Sequence, residues 1–317
     1  PMGVASLRKI AHINEITLAN YSGSDVAVDA HHYLHKHMNT IIRYQDKENY
    51  TTDDGKEVAN IIALLRGIPP LLRNDIHPIF VFDGESDPLK QEEEERRKEK
   101  KREAKKKMKV AIENGNIDDA RKYKAQTQSM TDTVIETSKQ LLEYLGIPYV
   151  QAPKSGEACA ALLVRDGDLD AVMSDDYDCL LFGSPTTLRS YSGKGPSELM
   201  DFNKTLTDNN ITHKQLVELA LLCGTDYNEG VHGIGPKKGL KKIRMHNDLE
   251  TVMEYTQGTI PNPDKLRNIF LQPECQIENI TISSPTPDYE KAAAYAANWG
   301  ISPDFAIEKL KKFPESF

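Results

Sequence analysis

Two runs of apolar residues in the first third of the chain, Asp25-Val-Ala-Val-Asp29 and His77-Pro-Ile-Phe-Val-Phe-Asp83, each end on an aspartate. The second run lacks polar alternation, so its strand must be covered on both faces, which is the condition of a parallel sheet between helical layers. Between the two runs, after an Asp54-Gly55 turn, Val58, Ile61, Ile62, Leu65 and Ile68 recur at helical spacing. The pattern repeats downstream. A helix carrying Val134, Leu141, Leu142 and Leu145 opens on a Thr133/Glu136 capping box, stops at Gly146, and is followed by a strand from Ile147 to Val150. An alanine-rich helix containing Glu157, stopped by Asp166-Gly167, leads to the strand Ala171 to Ser174 and then to Asp175-Asp176-Tyr177-Asp178. Strands alternating with helices predict an α/β fold, a mainly parallel central sheet flanked by helices.

A chain of 317 residues with 38% hydrophobic content suffices for one large core, and a single domain is expected over 3–317. Its parts are 3–87 and 131–226, which build the core, 88–130, a helical insertion, and 227–317, a mostly helical remainder. Val4 to Ile10 reads as a short opening helix, and Pro1 ahead of Met2-Gly3 as an addition to the folded unit. The insertion is charged throughout, and Asn114-Gly115 suits a turn between two helices projecting from the body. Thr212 and Gln215 cap a helix with Leu216, Leu219 and Leu222 that leads into Cys223-Gly-Thr-Asp226. The last segment, Asp304 to Phe313, is amphipathic.

Cys159, Cys179, Cys223 and Cys275 lack the close pairing of a zinc site or disulfide framework and read as reduced packing residues. No apolar run approaches the roughly 20 residues a bilayer needs, and the N-terminus lacks a secretory layout. A cytoplasmic protein without a membrane partner is expected, nuclear if the source is eukaryotic. Net charge is −8, yet residues 96–109 hold ten Lys and Arg, and Lys237, Lys238, Lys241, Lys242 and Arg244 form a second basic cluster. Two basic regions on an acidic molecule are compatible with nucleic acid.

The chemistry lies in the acidic residues. Asp29, Asp83, Asp176 and Asp178 fall at the C-terminal ends of predicted strands and Glu157 just beyond another, so all converge on the edge where ligands of such sheets bind. Carboxylates gathered in this way repel one another unless cations lie between them, and oxygen-only ligands select Mg²⁺, or Mn²⁺ in its place, over zinc. Two ions about 3.5–4 Å apart would make a phosphodiesterase site. Asp226 is either a further ligand or the holder of a metal-bound water. A lone strand-end Asp is more often a cap or turn residue; the number of independent strand ends carrying one is what capping does not demand.

Gly233-Ile-Gly235-Pro-Lys237-Lys238 combines glycines that allow close backbone approach with a helix N-terminus, as in a helix-hairpin-helix element gripping a phosphate backbone. An ordinary Gly-Pro turn explains it equally well. Lys90 and Arg97, seven apart, share a helical face just past Asp83, where a scissile phosphate would lie. His31, His32, His35 and His37 have no cysteine partners; they are read as a polar helix face and assigned no metal.

Val-Ala-Val-Asp29-Ala, Val-Phe-Asp83-Gly, Gly156-Glu157-Ala, Asp176-Tyr-Asp178-Cys-Leu-Leu-Phe-Gly and Cys-Gly-Thr-Asp226-Tyr resemble, in order and spacing, the motifs of the flap endonuclease family, its archaeal members most closely. The resemblance covers Gly3 to about residue 310. It implies a PIN-like nuclease core whose metal cluster sits under a helical arch, Lys90 and Arg97 at the arch base, and a potassium ion beside the helix-hairpin-helix loop. It implies Tyr33 or His35 as the base-stacking residue, 5′-flap or nicked DNA as substrate, and cleavage in replication and repair. A monomer is expected. The sequence departs from the family at Ser155, where the motif has a second glutamate; a serine hydroxyl or an added water would take its place, with weaker binding of one metal. It also stops at Pro314-Glu-Ser-Phe317 without the usual clamp-docking peptide, so a sliding clamp is implied by kinship alone. Two rivals follow: a branched-DNA-binding protein that cuts poorly because of Ser155, and a phosphatase using Asp176-Tyr-Asp178 as its nucleophile motif.

Overall fold

The computed structural model describes residues 4–191, 196–283 and 285–314. Residues 1–3 and 315–317, which include the Pro1-Met2-Gly3 start and the Glu-Ser-Phe end, lie outside the described residues.

Seven strands form one sheet in the order β1 (His12–Ile16), β7 (Ser197–Asp201), β6 (Thr186–Arg189), β5 (Ala171–Met173), β2 (Ser24–Asp29), β3 (Ile76–Phe82) and β4 (Tyr149–Gln151). Pairings β2–β3, β2–β5, β3–β4 and β5–β6 are parallel, whereas β7 runs antiparallel to β6 and to β1. The expected parallel sheet is therefore present and carries an antiparallel border. β1, β6 and β7 were not foreseen: sequences such as His-Ile-Asn-Glu-Ile and Ser-Glu-Leu-Met-Asp bury little, and pairing with neighbours rather than their own pattern makes them strands.

The alternation of side chains sorts the two cores. Val26, Val28, Phe80 and Phe82 face one layer with α1 (Ala30–Tyr44), α2 (Ala59–Arg73) and α5 (Asp132–Leu145). Ala27, Ile79, Val81 and Val172 face the other, with α6 (Gly156–Arg165), the short α7 (Asp178–Leu181) and, beyond α8 (Phe202–Asn209), α9 (His213–Cys223). Fully buried strands of this kind explain the unbroken apolar runs. From β2 the chain moves outward to β3 and β4 and then returns to β5 on the opposite side of β2. That reversal opens a crevice at the carboxyl ends of the central strands.

Several local expectations shift. Val4–Lys9 is a 3-10 helix. The cap of α5 is Thr131, whose hydroxyl accepts from the Val134 amide at 3.2 Å, two residues earlier than the Thr133/Glu136 box. The Thr212/Gln215 box is present as expected, and Gly146 ends α5 at φ +72°, a left-handed position that favours glycine.

The insertion forms α3 (Gln91–Glu113) and α4 (Ile117–Gln126), with the turn at Asn114-Gly115. At 1.5 Å per residue α3 is about 35 Å long. Only part of the insertion projects. Ala104 and Ala111 of α3 are buried, and α4 leans on α1, tied to the body by Arg121 with Asp46 and by Lys124 Nζ to Glu57 at 2.5 Å. The remainder comprises α10 (Pro236–His246), α11 (Leu249–Thr256), α12 (Pro263–Leu271), α13 (Tyr289–Asn298) and α14 (Pro303–Leu310). Among the described residues no helix is long and apolar enough to cross a membrane.

Candidate active site

Asp29, Asp83, Glu157, Asp176 and Asp178 reach the crevice by the same local logic, a strand end or the loop and first helical turn after it, whereas Asp226 comes from the loop after α9. Asp29 ends β2 and caps α1, its Oδ1 accepting the His32 amide at 3.0 Å. Asp83 follows β3 and accepts the Gly156 amide at 2.6 Å on Oδ1, while His31 Nδ1 lies 3.1 Å from Oδ2. A Cβ at Gly156 would stand 2.9 Å from Asp83 Oδ1, so the glycine permits this approach. Glu157 sits in the first turn of α6, where the Cys179 thiol donates to Oε1 at 3.2 Å. Asp176 Oδ1 accepts the Asp178 amide at 3.2 Å.

Oxygens of Glu157, Asp176 and Asp178 lie within 4.8 Å of one another, the geometry of a cation site. Asp178 is 4% exposed, and its Oδ1 has no hydrogen-bond partner. Burial and the charges of Asp176 and Asp226 push the Asp178 carboxyl well above its usual range. Glu157 is raised likewise by burial, then by Asp176, Asp178 and Asp29. Asp29 is pushed up to about 6, by burial first and Asp83 second. Asp83 behaves otherwise: burial would raise it, but His31 and the Gly156 amide together hold it below the ordinary value. An orphaned buried oxygen amid carboxylates of raised pKa, all donors being hard oxygens, fits Mg²⁺ or a similar divalent ion.

Two cations overlook this cluster from the insertion. Lys90 lies in a 3-10 turn just before α3, and Nζ stands 4.9 Å from the Tyr227 ring centroid. Burial would lower its pKa, but Tyr227, Asp178, Asp226 and Glu157 raise it on balance, so the ammonium keeps its charge. Arg97 Nη2 donates to Asp226 Oδ2 at 2.7 Å. The cleft they border has a volume of about 540 Å³ and is also lined by His31, Asp83, Ser155 and Tyr227. Asp83 lines this cleft itself, and charge links Asp83 to Asp29, Asp29 to Glu157, Glu157 to Asp176 and Asp178, and Asp178 to Asp226, with Asp29, Asp83 and Asp226 outside the tight triad.

Geometry bears on three further expectations. Tyr33 is 4% exposed, with its ring against His37 and Phe80, so it cannot stack on a base; helical phase turns it into the core. His35 is exposed and faces the charges of Lys101 and Arg97. Ser155 caps α6, its Oγ accepting the Ala158 amide at 3.1 Å. The histidines do not form one polar face. His37 packs against Tyr33, and burial pulls its pKa down to about 4, His32 lies 3.3 Å from Asp175, and His31 contacts Asp83. Sequence reading passed over His31, Tyr227 and Asp175, which is pinned by Lys36 Nζ at 2.6 Å and the Ser190 amide at 2.5 Å. Only adjacency to the acidic motifs marked them.

Seven residues past Asp226, Gly233 has φ +75°, and a Cβ on Gly233 or Gly235 would meet nothing within 4 Å. The fold leaves both glycines open to an incoming group at the N-terminus of α10, with Lys237 and Lys238 exposed beside them.

The family models for the XPG N-terminal domain and the XPG I-region match residues 2–104 and 146–226. Flap endonuclease 1 of Haloarcula marismortui is 39% identical over 316 residues, 99% of this chain and 97% of its own. That of Methanothermobacter thermautotrophicus is 40% identical, covering 98% and 96%. The solved flap endonuclease-1 of Methanococcus jannaschii superposes with a TM-score of 0.78 at 32% identity over 98% of each chain. The catalytic core of Rad2 in complex with DNA substrate shares the fold, with a TM-score of 0.75 at 22% identity over 98% of this chain and 100% of its own. A sheet with carboxylates at its strand ends, matched over nearly its full length by archaeal relatives, places this chain in the flap endonuclease family of metal-dependent nucleases.

Proposed function

We propose that this chain hydrolyses DNA phosphodiesters at the base of 5′ flaps, and at 5′ ends, with two Mg²⁺ ions held by Asp29, Asp83, Glu157, Asp176, Asp178 and Asp226, Mn²⁺ being able to replace them. The observation that carries this reading is the meeting of Glu157 with Asp176 and Asp178, an orphaned oxygen on Asp178 among them, beside Asp226, which Arg97 reaches, and within the charge of Lys90. The ions supply Lewis acidity toward the scissile phosphate and the attacking water. The chain's own residues do the rest. Lys90, held charged over Tyr227, and Arg97, reachable from Asp226, offer donors to the phosphate as negative charge grows on its oxygens. α3 and α4 border the space through which a single strand would pass, with exposed His35 as the stacking candidate at its base. Gly233, Gly235, Lys237 and Lys238 hold duplex backbone without reading sequence, with K⁺ a candidate ligand of the same loop.

A panel of 5′-flap, nicked and fork substrates with Mg²⁺ or chelator tests the reading. Metal-dependent cleavage favouring 5′ flaps, lost in Asp176→Asn, is expected. Tight flap binding with little or no cleavage would instead make the chain a branched-DNA-binding protein, and cleavage that persists in chelator would overturn the two-ion mechanism.

A further inference from the structure

The acidic crevice divides into two unequal parts. Glu157, Asp176 and Asp178 form a tight triad with an uncompensated buried oxygen. The other part offers two carboxylates, Asp29 and Asp83, and the neighbouring Ser155 brings only an uncharged hydroxyl that already accepts the Ala158 amide at the cap of α6. With so few charged donors, an ion there depends on how well each donor is aimed.

Asp83 is the less secure of the two, with its side chain 43% exposed where Asp29 is nearly buried. Its backbone is anchored by the Gln151 amide, which donates to the Asp83 carbonyl at 2.7 Å. Its carboxylate has two anchors, the Gly156 amide on Oδ1 and His31 Nδ1 on Oδ2. His31 is itself fixed: it occupies the first turn of α1, its ring meets Phe82 edge-on at 6.2 Å, and Nε2 is buried without a partner. The ring's polar hold on the site therefore runs through Nδ1. Each carboxylate oxygen has two lone pairs, so a hydrogen bond on Oδ2 leaves room for a cation.

We propose that His31 is a positioning residue for the second divalent ion: through Nδ1 it fixes the orientation of Asp83 and thereby sets the affinity of the Asp29/Asp83 position, leaving the Glu157/Asp176/Asp178 position unaffected. Hydrogen bonds to a ligating group orient it and tune its metal, and their loss commonly lowers metal affinity on the order of 10–100-fold. This inference rests on the two-ion reading above.

The test is Mn²⁺ binding to the full chain without DNA, followed by electron paramagnetic resonance and calorimetry, in wild type, His31→Leu and His31→Asn. An Asn amide nitrogen falls close to where Nδ1 stands. Wild type is expected to bind two ions of unequal affinity. His31→Leu should keep the tighter ion, which also reports an intact fold, and weaken the second on the order of 10–100-fold, and His31→Asn should restore most of that loss. Two ions at wild-type affinities in His31→Leu, an Asn variant as weak as the Leu variant, or loss of both ions together would each overturn the role of His31. A single ion in every variant, wild type included, would sink the two-ion reading and this inference with it.

Discussion

Asp83 and Asp178 stand beyond strands of one sheet and border one crevice, yet their surroundings differ in sign. Asp83 accepts a backbone amide and an imidazole and is held below the usual carboxylate range. Asp178 is buried beside Asp176 and Asp226, has an oxygen with no partner and is driven well above it, the pull of Lys90 and Arg97 notwithstanding. Stability and function part company at Asp178. A carboxylate satisfied by the protein contributes to folding as it stands, whereas one left unsatisfied destabilises the metal-free protein and is repaid when a cation arrives.

The largest effect expected from this contrast is on catalysis. Asp178→Asn should lower flap cleavage by at least the order of 10²–10³-fold that follows removal of one group stabilising transition-state charge. The same variant should raise the thermal midpoint of the metal-free protein, because a buried negative charge disappears. A lower midpoint without metal would break the contrast.

Next comes the ion itself. Mg²⁺ at one hundred times its dissociation constant should stabilise the wild type by about 2.7 kcal/mol, read as a shift in the urea midpoint, and Asp178→Asn should lose most of that gain. Equal stabilisation of both proteins would place the ion elsewhere.

The pH dependence of the metal-free protein gives a difference of similar order. Asp29 has a pKa of about 6 in the fold against an ordinary 3.8. The folded state thus holds this proton more tightly than the unfolded chain, and the stability it confers is present below about pH 4 and lost as pH rises towards 6. The urea midpoint should fall over that window less steeply in Asp29→Asn, where the amide keeps the helix cap. Identical slopes would show that Asp29 titrates normally.

The smallest effect concerns Ser155. Ser155→Glu should raise the cleavage rate at low Mg²⁺ by adding a donor beside Asp29 and Asp83, with little change once Mg²⁺ saturates. A rate that is equal or lower at low Mg²⁺ would remove Ser155 as the cause of weak binding in that part of the crevice.

Much of the site was legible because its residues sit where chain and sheet geometry leave little choice. An apolar run ending in Asp fixes a strand and the direction in which its carboxylate emerges, and this holds for Asp29, Asp83 and the Asp176/Asp178 loop. Tyr33 against His35 was not decidable from spacing, since two residues apart on a helix is about 200° of rotation and either could have faced the arch. The strands β1, β7 and β6, on the antiparallel side of the sheet, were hidden for a related reason: they are short and held by pairing. The histidines of α1 misled because four side chains of one type meet four different environments.

The sequence by itself determined the alternation of strands and helices, the acidic strand ends, the basic insertion with its turn and the glycine hairpin, all of which are local in the chain. Tertiary structure alone decided that Asp83 leans on His31 and Gly156, that Asp178 keeps a bare oxygen, that Arg97 reaches Asp226 and that α4 folds back on α1. Those contacts join residues from distant segments, and the balance of desolvation and charge that gives each carboxylate its character exists only once packing has set the distances.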